Sequence, residues 1–123
     1  MRASGGGSIV NVSSIASHLG YPVYFAYSAA KGAVRSMTKA IAVHCQMGKM
    51  NIRCNSIHPG AIETQMVRDS TRALGMEMSA WEQTPQGLGK PEDVANAIVY
   101  LASDESRFIN GIELLIDNAL YVQ

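Results

Sequence analysis

The chain has 123 residues with ten basic and ten acidic side chains, so its formal net charge is zero. Hydrophobic residues make up 47% and charged residues 16% of the composition, which excludes a disordered chain and a coiled coil. The length suits one domain with a modest core. A neutral chain gives no electrostatic reason to expect nucleic acid or an anionic membrane as a partner.

The two cysteines, Cys45 and Cys54, follow a first segment that lacks the apolar stretch of a secretory signal. No apolar run reaches the roughly 18–20 residues that cross a membrane. We therefore expect a cytoplasmic protein whose cysteines stay reduced and pack as small buried side chains. The spacing of the cysteines and of His18, His44 and His58 matches no metal-binding motif, so no metal site is expected.

The first half of the chain predicts one strand and one long helix. Ser8–Ser13 is short, β-branched and mostly apolar, which is typical of a strand buried on both faces. Because phosphate-binding glycine loops follow a strand, Gly5–Gly7 are interpreted as a tight turn into this one. Ser14–Phe25 is predicted as a loop. Apolar side chains at three- and four-residue steps then predict a helix from about Ala26 to about Gln46.

The middle of the chain predicts a second strand and an irregular excursion. Asn51–Ile57 has the composition of a strand that ends at the turn His58–Gly60. Helix formers recur at Glu63–Arg72 and Ser79–Glu82, and glycine and proline interrupt them. This pattern indicates short helices that leave the core between residues 61 and 89.

The last third predicts a helix and a third strand. Pro91 suits the first turn of a helix, and Glu92 and Asp93 favour the positive end of its dipole. The helix is expected to end near Ser103, and Ile112–Asp117 is predicted as a strand. Strands that alternate with helices imply an α/β fold with a parallel sheet and right-handed crossovers.

Three residues have the spacing of a site for carbonyl or alcohol chemistry. Ser14 follows the first strand, Tyr27 lies thirteen residues later, and Lys31 is four residues beyond it. Ligands bind beyond the carboxyl ends of parallel strands, and residues four apart share a helix face. A serine hydroxyl can hold a substrate oxygen, and an ammonium near a phenol favours its ionised form. A Tyr-x-x-x-Lys pair alone is common, so the wider pattern decides.

That wider pattern resembles the short-chain dehydrogenase/reductase family over essentially the whole chain. The segments that carry the resemblance are Gly7–Ser14, Tyr27–Val34, Asn51–Gly60, Lys90–Ala95 with Leu101–Glu105, and Gly111–Leu114. The resemblance implies a partial Rossmann-like parallel sheet that consists of the family's last three strands and their flanking helices. Residues 1–123 would be the C-terminal catalytic portion, because nothing matches the family's glycine-rich turn, its Asn-Asn-Ala-Gly segment or its catalytic asparagine.

The resemblance also implies roles for individual residues. Tyr27 would be the general acid/base, Lys31 would favour its ionised form and hydrogen-bond the nicotinamide ribose, and Ser14 would position the substrate oxygen. The implied cofactor-binding residues are Tyr27, Lys31, Pro59, Gly60, Ile62 through its backbone, and Thr64 through its hydroxyl. Thr64 can equally cap the short helix that follows it. The family pattern gives His58 no catalytic role.

An enzyme of this kind is an NAD(P)-dependent oxidoreductase that interconverts a small-molecule secondary alcohol and a ketone by hydride transfer, and NAD is slightly favoured over NADP. The segments Ser56–Pro59 and Asp117–Ala119 are similar to those of bacterial hydroxysteroid and cyclic-alcohol dehydrogenases in the family. The resemblance further implies a homo-oligomer that associates through the late helix and the last strand.

Two alternatives stay open. The chain could be a truncated, non-catalytic fragment that acts, if at all, through association with related subunits. It could also be a binding module whose apolar excursion, Ile62–Pro85, holds a steroid without a cofactor. In either case the Ile9–Val12 strand, without its family neighbour, would form an apolar edge. We therefore expect an isolated chain that is marginally stable or relies on association.

Overall fold

The computed structural model describes residues 1–123, apart from the side chain of Arg2, and contains one three-stranded parallel sheet. Its strands are β1 (Gly7–Val12), β2 (Ile52–Pro59) and β3 (Glu113–Ile116), in the spatial order β1-β2-β3. Both neighbouring pairs are parallel. This architecture confirms the expected α/β fold with a partial Rossmann-like sheet.

Four α-helices accompany the sheet: α1 (Phe25–Met47), α2 (Gln65–Ala73), α3 (Ser79–Glu82) and α4 (Pro91–Ala102). The long helix α1 packs mainly against β2, and α4 packs against β1 and β2. The start of α4 follows the predicted chemistry, because the Asp93 carboxylate accepts the Lys90 N–H at 2.7 Å. No helix in the described chain is long and apolar enough to span a membrane.

Burial across the sheet differs from the prediction for the first strand. The most deeply buried strand is β2, in which the residues from Cys54 to His58 are all buried. In contrast, β1 pairs on one side only, and Val12 is 48% exposed. The apolar run of β1 predicted burial on both faces, but no residue of β1 is fully buried, because the strand lies at the edge of the sheet with one side open to solvent. The expectation of an apolar edge is thereby confirmed.

Buried polar side chains fix the segment that leads into β3. Asn55 is fully buried; its Nδ2 donates to the Ile109 carbonyl at 3.0 Å, and its Oδ1 accepts the Ile112 N–H at 3.1 Å. These contacts of Asn55 satisfy buried polar groups that would otherwise destabilise the core.

Both predictions for the cysteines are confirmed, since Cys45 and Cys54 are free and buried.

The glycines before β1 form the tight turn that the sequence predicts. Gly6 has a φ of +132°, and a Cβ on it would lie 2.2 Å from the carbonyl oxygen of Asn51. The adjacent Gly7 N–H donates to that same oxygen at 3.0 Å. Only a residue without a side chain allows the two backbones to approach this closely.

Candidate active site

Ser14 stands just beyond the carboxyl end of β1 in an extended conformation and is 8% exposed. Its Oγ accepts the Ala16 N–H at 3.1 Å, which caps the short 3-10 turn Ile15–Ser17. A hydroxyl that accepts in this way keeps its proton for a second hydrogen bond. The side chain is thus held in place while one donor remains for a ligand oxygen.

Lys31 is tied to the end of β1 through two of its groups. Its Nζ donates to the Val12 carbonyl at 3.0 Å, and its own carbonyl accepts the Ser13 hydroxyl at 2.8 Å. The same Nζ lies 5.6 Å from the ring centroid of Tyr27, whose side chain is exposed. Tyr27 and Lys31 therefore meet at the end of β1 from which Ser14 extends, as the sequence predicts.

The second group of predicted residues follows β2 at the same edge of the sheet. Val12 of β1 is in register with Ile57 of β2, so both strands deliver their next residues to one side. Pro59 ends β2, and the Gly60 N–H donates to the Ile116 carbonyl at 2.9 Å. This places the turn close to β3, where a Cβ on Gly60 would lie 3.1 Å from Cα of Asp117.

Ile62 offers its backbone rather than its side chain. It forms a parallel bridge with Gly89. The hydrogen bonds of this bridge are made by the two neighbours of Ile62: Glu63 N–H donates to Gly89 O at 2.8 Å, and Ala61 O accepts Gly89 N–H at 2.9 Å. In such a parallel pair the N–H and C=O of Ile62 itself point away from Gly89. The Ile62 side chain itself is buried.

Thr64 caps α2, since its Oγ1 accepts the Val67 N–H at 3.4 Å. Its hydroxyl proton stays available to donate, so capping and ligand binding are compatible. A nicotinamide carboxamide presents both a donor and an acceptor. The outward N–H and C=O of Ile62 match it, and the hydroxyl of Thr64 adds a donor, so the residues present fit the nicotinamide end of a dinucleotide.

A buried histidine cluster lies directly beneath the Ser14 turn. His58 is fully buried; its Nε2 lies 2.8 Å from Ser56 Oγ, and its Nδ1 lies 3.0 Å from Ser17 Oγ and 2.9 Å from His18 Nε2. Ser17 Oγ also donates to the Ser14 carbonyl at 2.7 Å. His58 thus supports the backbone of Ser14 and does not face a ligand.

Charged side chains continue this cluster to the surface. The Glu113 carboxylate lies 3.5 Å from His18 Nε2 and forms ion pairs with Arg35 and Lys39. Burial alone would raise the pKa of Glu113, but its interactions with Arg35 and Lys39 outweigh burial and lower that pKa to about 2. Burial lowers the pKa of both His18 and His58, which favours neutral rings at pH 7.

The cluster brings together three groups of a kind that can bind metals, although sequence spacing gave no sign of it. Nitrogens of His18 and His58 and a Glu113 oxygen lie within 4.8 Å of one another. However, Arg35 and Lys39 already neutralise the single carboxylate, and a divalent cation would meet two like charges there. The arrangement suits a hydrogen-bonded support for the Ser14 turn better than a metal site.

Residues 61–89 are named here the lid segment. The lid segment contains α2 and α3 and meets the earlier chain where Tyr24 Oη lies 2.5 Å from Ser70 Oγ. A cavity of about 670 Å³ borders the lid segment and is lined by Tyr21, Trp81 and Leu115 among others. Ser14, Tyr27 and Lys31 do not line this cavity.

Comparisons with known proteins agree with this geometry. A family model described as enoyl-(acyl carrier protein) reductase matches residues 1–119. The chain is 45% identical over 119 residues to an NADP-dependent (R)-specific alcohol dehydrogenase of Lentilactobacillus kefiri, covering 96% of this chain and 47% of that protein. It is 43% identical to a cyclopentanol dehydrogenase of Comamonas testosteroni, covering 95% and 46%. The chain therefore spans about half the length of the curated relatives it matches.

Solved structures give the same result. Levodione reductase superposes with a TM-score of 0.88 at 31% identity, over 99% of this chain and 49% of that one. A short chain dehydrogenase family protein from Francisella tularensis superposes with a TM-score of 0.83 at 28% identity, over 94% and 51%. The chain belongs to the short-chain dehydrogenase/reductase family of NAD(P)-dependent oxidoreductases and corresponds to the C-terminal portion of its fold.

Proposed function

We propose that this chain supplies the catalytic portion of an oxidoreductase that interconverts a secondary alcohol and a ketone with NAD(P). One observation carries the proposal: Lys31 is fixed to the end of β1 with its ammonium 5.6 Å from the Tyr27 ring, next to the Ser14 turn. This arrangement holds a proton donor, a positive charge and a hydrogen-bond donor at the edge of the sheet where ligands bind.

In the reductive direction, Ser14 donates a hydrogen bond to the carbonyl oxygen of the substrate and polarises it. Tyr27 then gives its phenolic proton to this oxygen, and the neighbouring Lys31 ammonium stabilises the phenolate that forms. In the oxidative direction the phenolate removes the proton from the alcohol. The nicotinamide supplies or accepts the hydride when bound.

The cofactor would be held at its nicotinamide end by the backbone of Ile62, the hydroxyl of Thr64 and the ammonium of Lys31, beside the Pro59-Gly60 turn. This end is the same in NAD and NADP, so these residues accept either. We propose NAD as slightly favoured. Because the Lentilactobacillus kefiri relative is NADP-dependent, binding of both dinucleotides must be measured.

Residues 1–123 are proposed to be the C-terminal catalytic portion of a two-part cofactor site. The substrate is proposed to be a cyclic or sterol-like alcohol, because the lid segment exposes adaptable apolar side chains, including Met66 at 69% and Met76 at 46%. A cyclopentanol dehydrogenase is among the relatives. The free, buried cysteines favour a reducing compartment, and we propose the cytoplasm.

We also propose that the chain associates with a second copy through α4 and β3. On and after α4, Val99 is 67% and Phe108 fully exposed, and β3 is an edge strand. Apolar side chains exposed to this extent on a small protein are typical of an association surface. The second candidate function, a non-catalytic fragment that associates with related subunits, is favoured by the unpaired edge of β1.

The test is titration of the 123-residue chain with NADH and, in parallel, NADPH, followed by nicotinamide fluorescence. Saturable binding that Lys31→Met weakens by about tenfold or more would support the catalytic proposal. Lys49→Met is the matched control, because Lys49 is exposed and lies beyond the end of α1. If neither dinucleotide binds, the non-catalytic candidate becomes the better account.

A further inference from the structure

The lid segment is attached to the preceding chain by one hydrogen bond among the described residues. This bond joins Tyr24 Oη and Ser70 Oγ, which are 2.5 Å apart and separated by 46 positions in the sequence. Both side chains are half-buried. A further hydrogen bond, from Asn118 Nδ2 to the Gln86 carbonyl at 2.8 Å, joins the C-terminal end of the lid segment to the chain after β3. The Tyr24–Ser70 pair is thus the hydrogen bond that joins α2 to the residue before α1.

On the lid side, the bond acts on a unit larger than α2 alone. Thr71, the residue after Ser70, is 2% exposed; its Oγ1 donates to the Val67 carbonyl and accepts the Trp81 indole N–H at 2.9 Å. The indole belongs to α3, so α2 and α3 are hydrogen-bonded to each other. A change in the position of Ser70 should therefore affect both helices of the lid segment.

On the catalytic side, Tyr24 lies directly before α1 and three residues before Tyr27. The two rings meet edge to face, with centroids 6.3 Å apart and planes at 63°. Tyr24 makes a similar contact with Tyr21 at 6.2 Å. Such contacts stabilise the relative orientation of aromatic rings. Tyr24 is thus the middle member of a row that ends at the proposed acid/base.

We infer that Tyr24 is a positioning residue that fastens the lid segment, through Ser70, to the start of α1 beside Tyr27. The hydroxyl of Tyr24 is occupied by Ser70, so this residue orders the substrate side of the site and does not itself act on the substrate. The docking of the lid segment follows from the contacts alone. Its consequence for substrate binding rests on the proposed oxidoreductase function.

The docking is tested by fluorescence, since Trp81 is the single tryptophan of the chain and lies on α3. We expect Tyr24→Phe and Ser70→Ala each to raise the acrylamide quenching constant of Trp81, with no further rise in the double variant. Ser70→Thr, which keeps the hydroxyl, should restore the original value. Tyr100→Phe removes a hydroxyl from α4 and serves as the control that leaves quenching unchanged. Unchanged quenching in Tyr24→Phe overturns the inference.

The consequence for substrate is tested on the same variants. Loss of one neutral hydrogen bond corresponds to about a fivefold change in an equilibrium constant. We expect Tyr24→Phe to raise KM for a cyclic ketone about fivefold, while kcat stays within about twofold and the dissociation constant for NADH is unchanged. A fall in kcat with unchanged KM contradicts a positioning role. Failure of NADH to bind the unmodified chain contradicts the proposed function and leaves the quenching result to decide the docking.

Discussion

Glu113 at the start of β3 and Arg35 on α1 form an ion pair in which Oε2 and Nε are 2.9 Å apart. The carboxylate also contacts the ammonium of Lys39, and its side chain is only 16% exposed. One acidic side chain therefore joins β3 to two basic positions on α1. Because the partners are partly exposed, water screens the pairs, and their contribution is smaller than that of a fully buried cluster.

We predict that Glu113→Gln lowers the free energy of unfolding by about 1–3 kcal/mol, since it leaves two cations facing a neutral amide. Urea denaturation followed by circular dichroism measures this change. Glu77→Gln removes an exposed carboxylate of the lid segment and should change the unfolding free energy by less than about 0.5 kcal/mol. Equal effects of the two substitutions would show that the Glu113 pairs add no stability.

Stability should decrease on acidification in two steps. Burial lowers the pKa of His18 and His58 below their ordinary value of 6.5, so the unfolded chain binds more protons below that pH. The histidine contribution is complete above pH 6.5 and is lost as pH falls through the lowered values. For Glu113, whose pKa is about 2 against an ordinary 4.5, the contribution is complete above 4.5 and is lost toward pH 2.

The measurement is the free energy of unfolding by urea at a series of pH values from 8 down to 3. His58→Asn should flatten the first step and leave the second, because it removes one titrating ring from the cluster. Glu113→Gln should flatten the second step. A stability that rises between pH 7 and pH 5 in the unmodified chain would contradict the direction of the histidine pKa shifts.

The sequence predicted the elements and the proximity of Tyr27 and Lys31 well, because both depend on local spacing. Helical periodicity placed α1 within one residue at each end, and the four-residue step from Tyr27 to Lys31 put both side chains on one face. The observed strand β2 ends two residues later than predicted, because Pro59 still pairs in register with Ile116 of β3. A turn residue in the sequence can thus lie within a strand when a neighbouring strand pairs with it.

Contacts between distant positions could not be predicted. His18 and His58 are forty residues apart, and no spacing rule shows that their rings meet. The same holds for Tyr24 and Ser70, whose hydroxyl groups meet across 46 positions of the sequence. The signal in the sequence was indirect: a polar side chain such as His58 in a strand at the centre of the sheet needs a buried partner.

We predict that Gly6→Ala destabilises the chain by about 1–3 kcal/mol, because the new methyl group would lie 2.2 Å from the Asn51 carbonyl at a φ of +132°. Gly5 provides the matched control. Its φ is +86°, but a Cβ there meets nothing within 4 Å. Gly5→Ala should therefore show only the backbone cost, about 1 kcal/mol. Thermal denaturation of both variants separates the steric cost from the conformational one.

If the proposed function holds, Tyr27→Phe should reduce turnover of a cyclic ketone by about 100-fold or more, since it removes the proton donor. Ser14→Ala should reduce turnover as well, by removing the donor to the substrate oxygen. NADH binding should persist in Ser14→Ala, and Tyr100→Phe should behave as the unmodified chain. Full activity of Tyr27→Phe would remove this residue from the proposed mechanism.

The unpaired edge of β1 leads to a prediction about association. This edge carries free backbone N–H and C=O groups beside apolar side chains such as Val12, so a second chain can pair with it. Binding that occurs only in the folded state makes the unfolding midpoint depend on protein concentration. We therefore expect the midpoint to rise over a hundredfold increase in concentration, in parallel with a larger sedimentation coefficient. A monomer with a sharp, concentration-independent transition would contradict this prediction. It would show that the three strands and their helices are stable alone and that the unpaired edge of β1 lowers the free energy of unfolding very little.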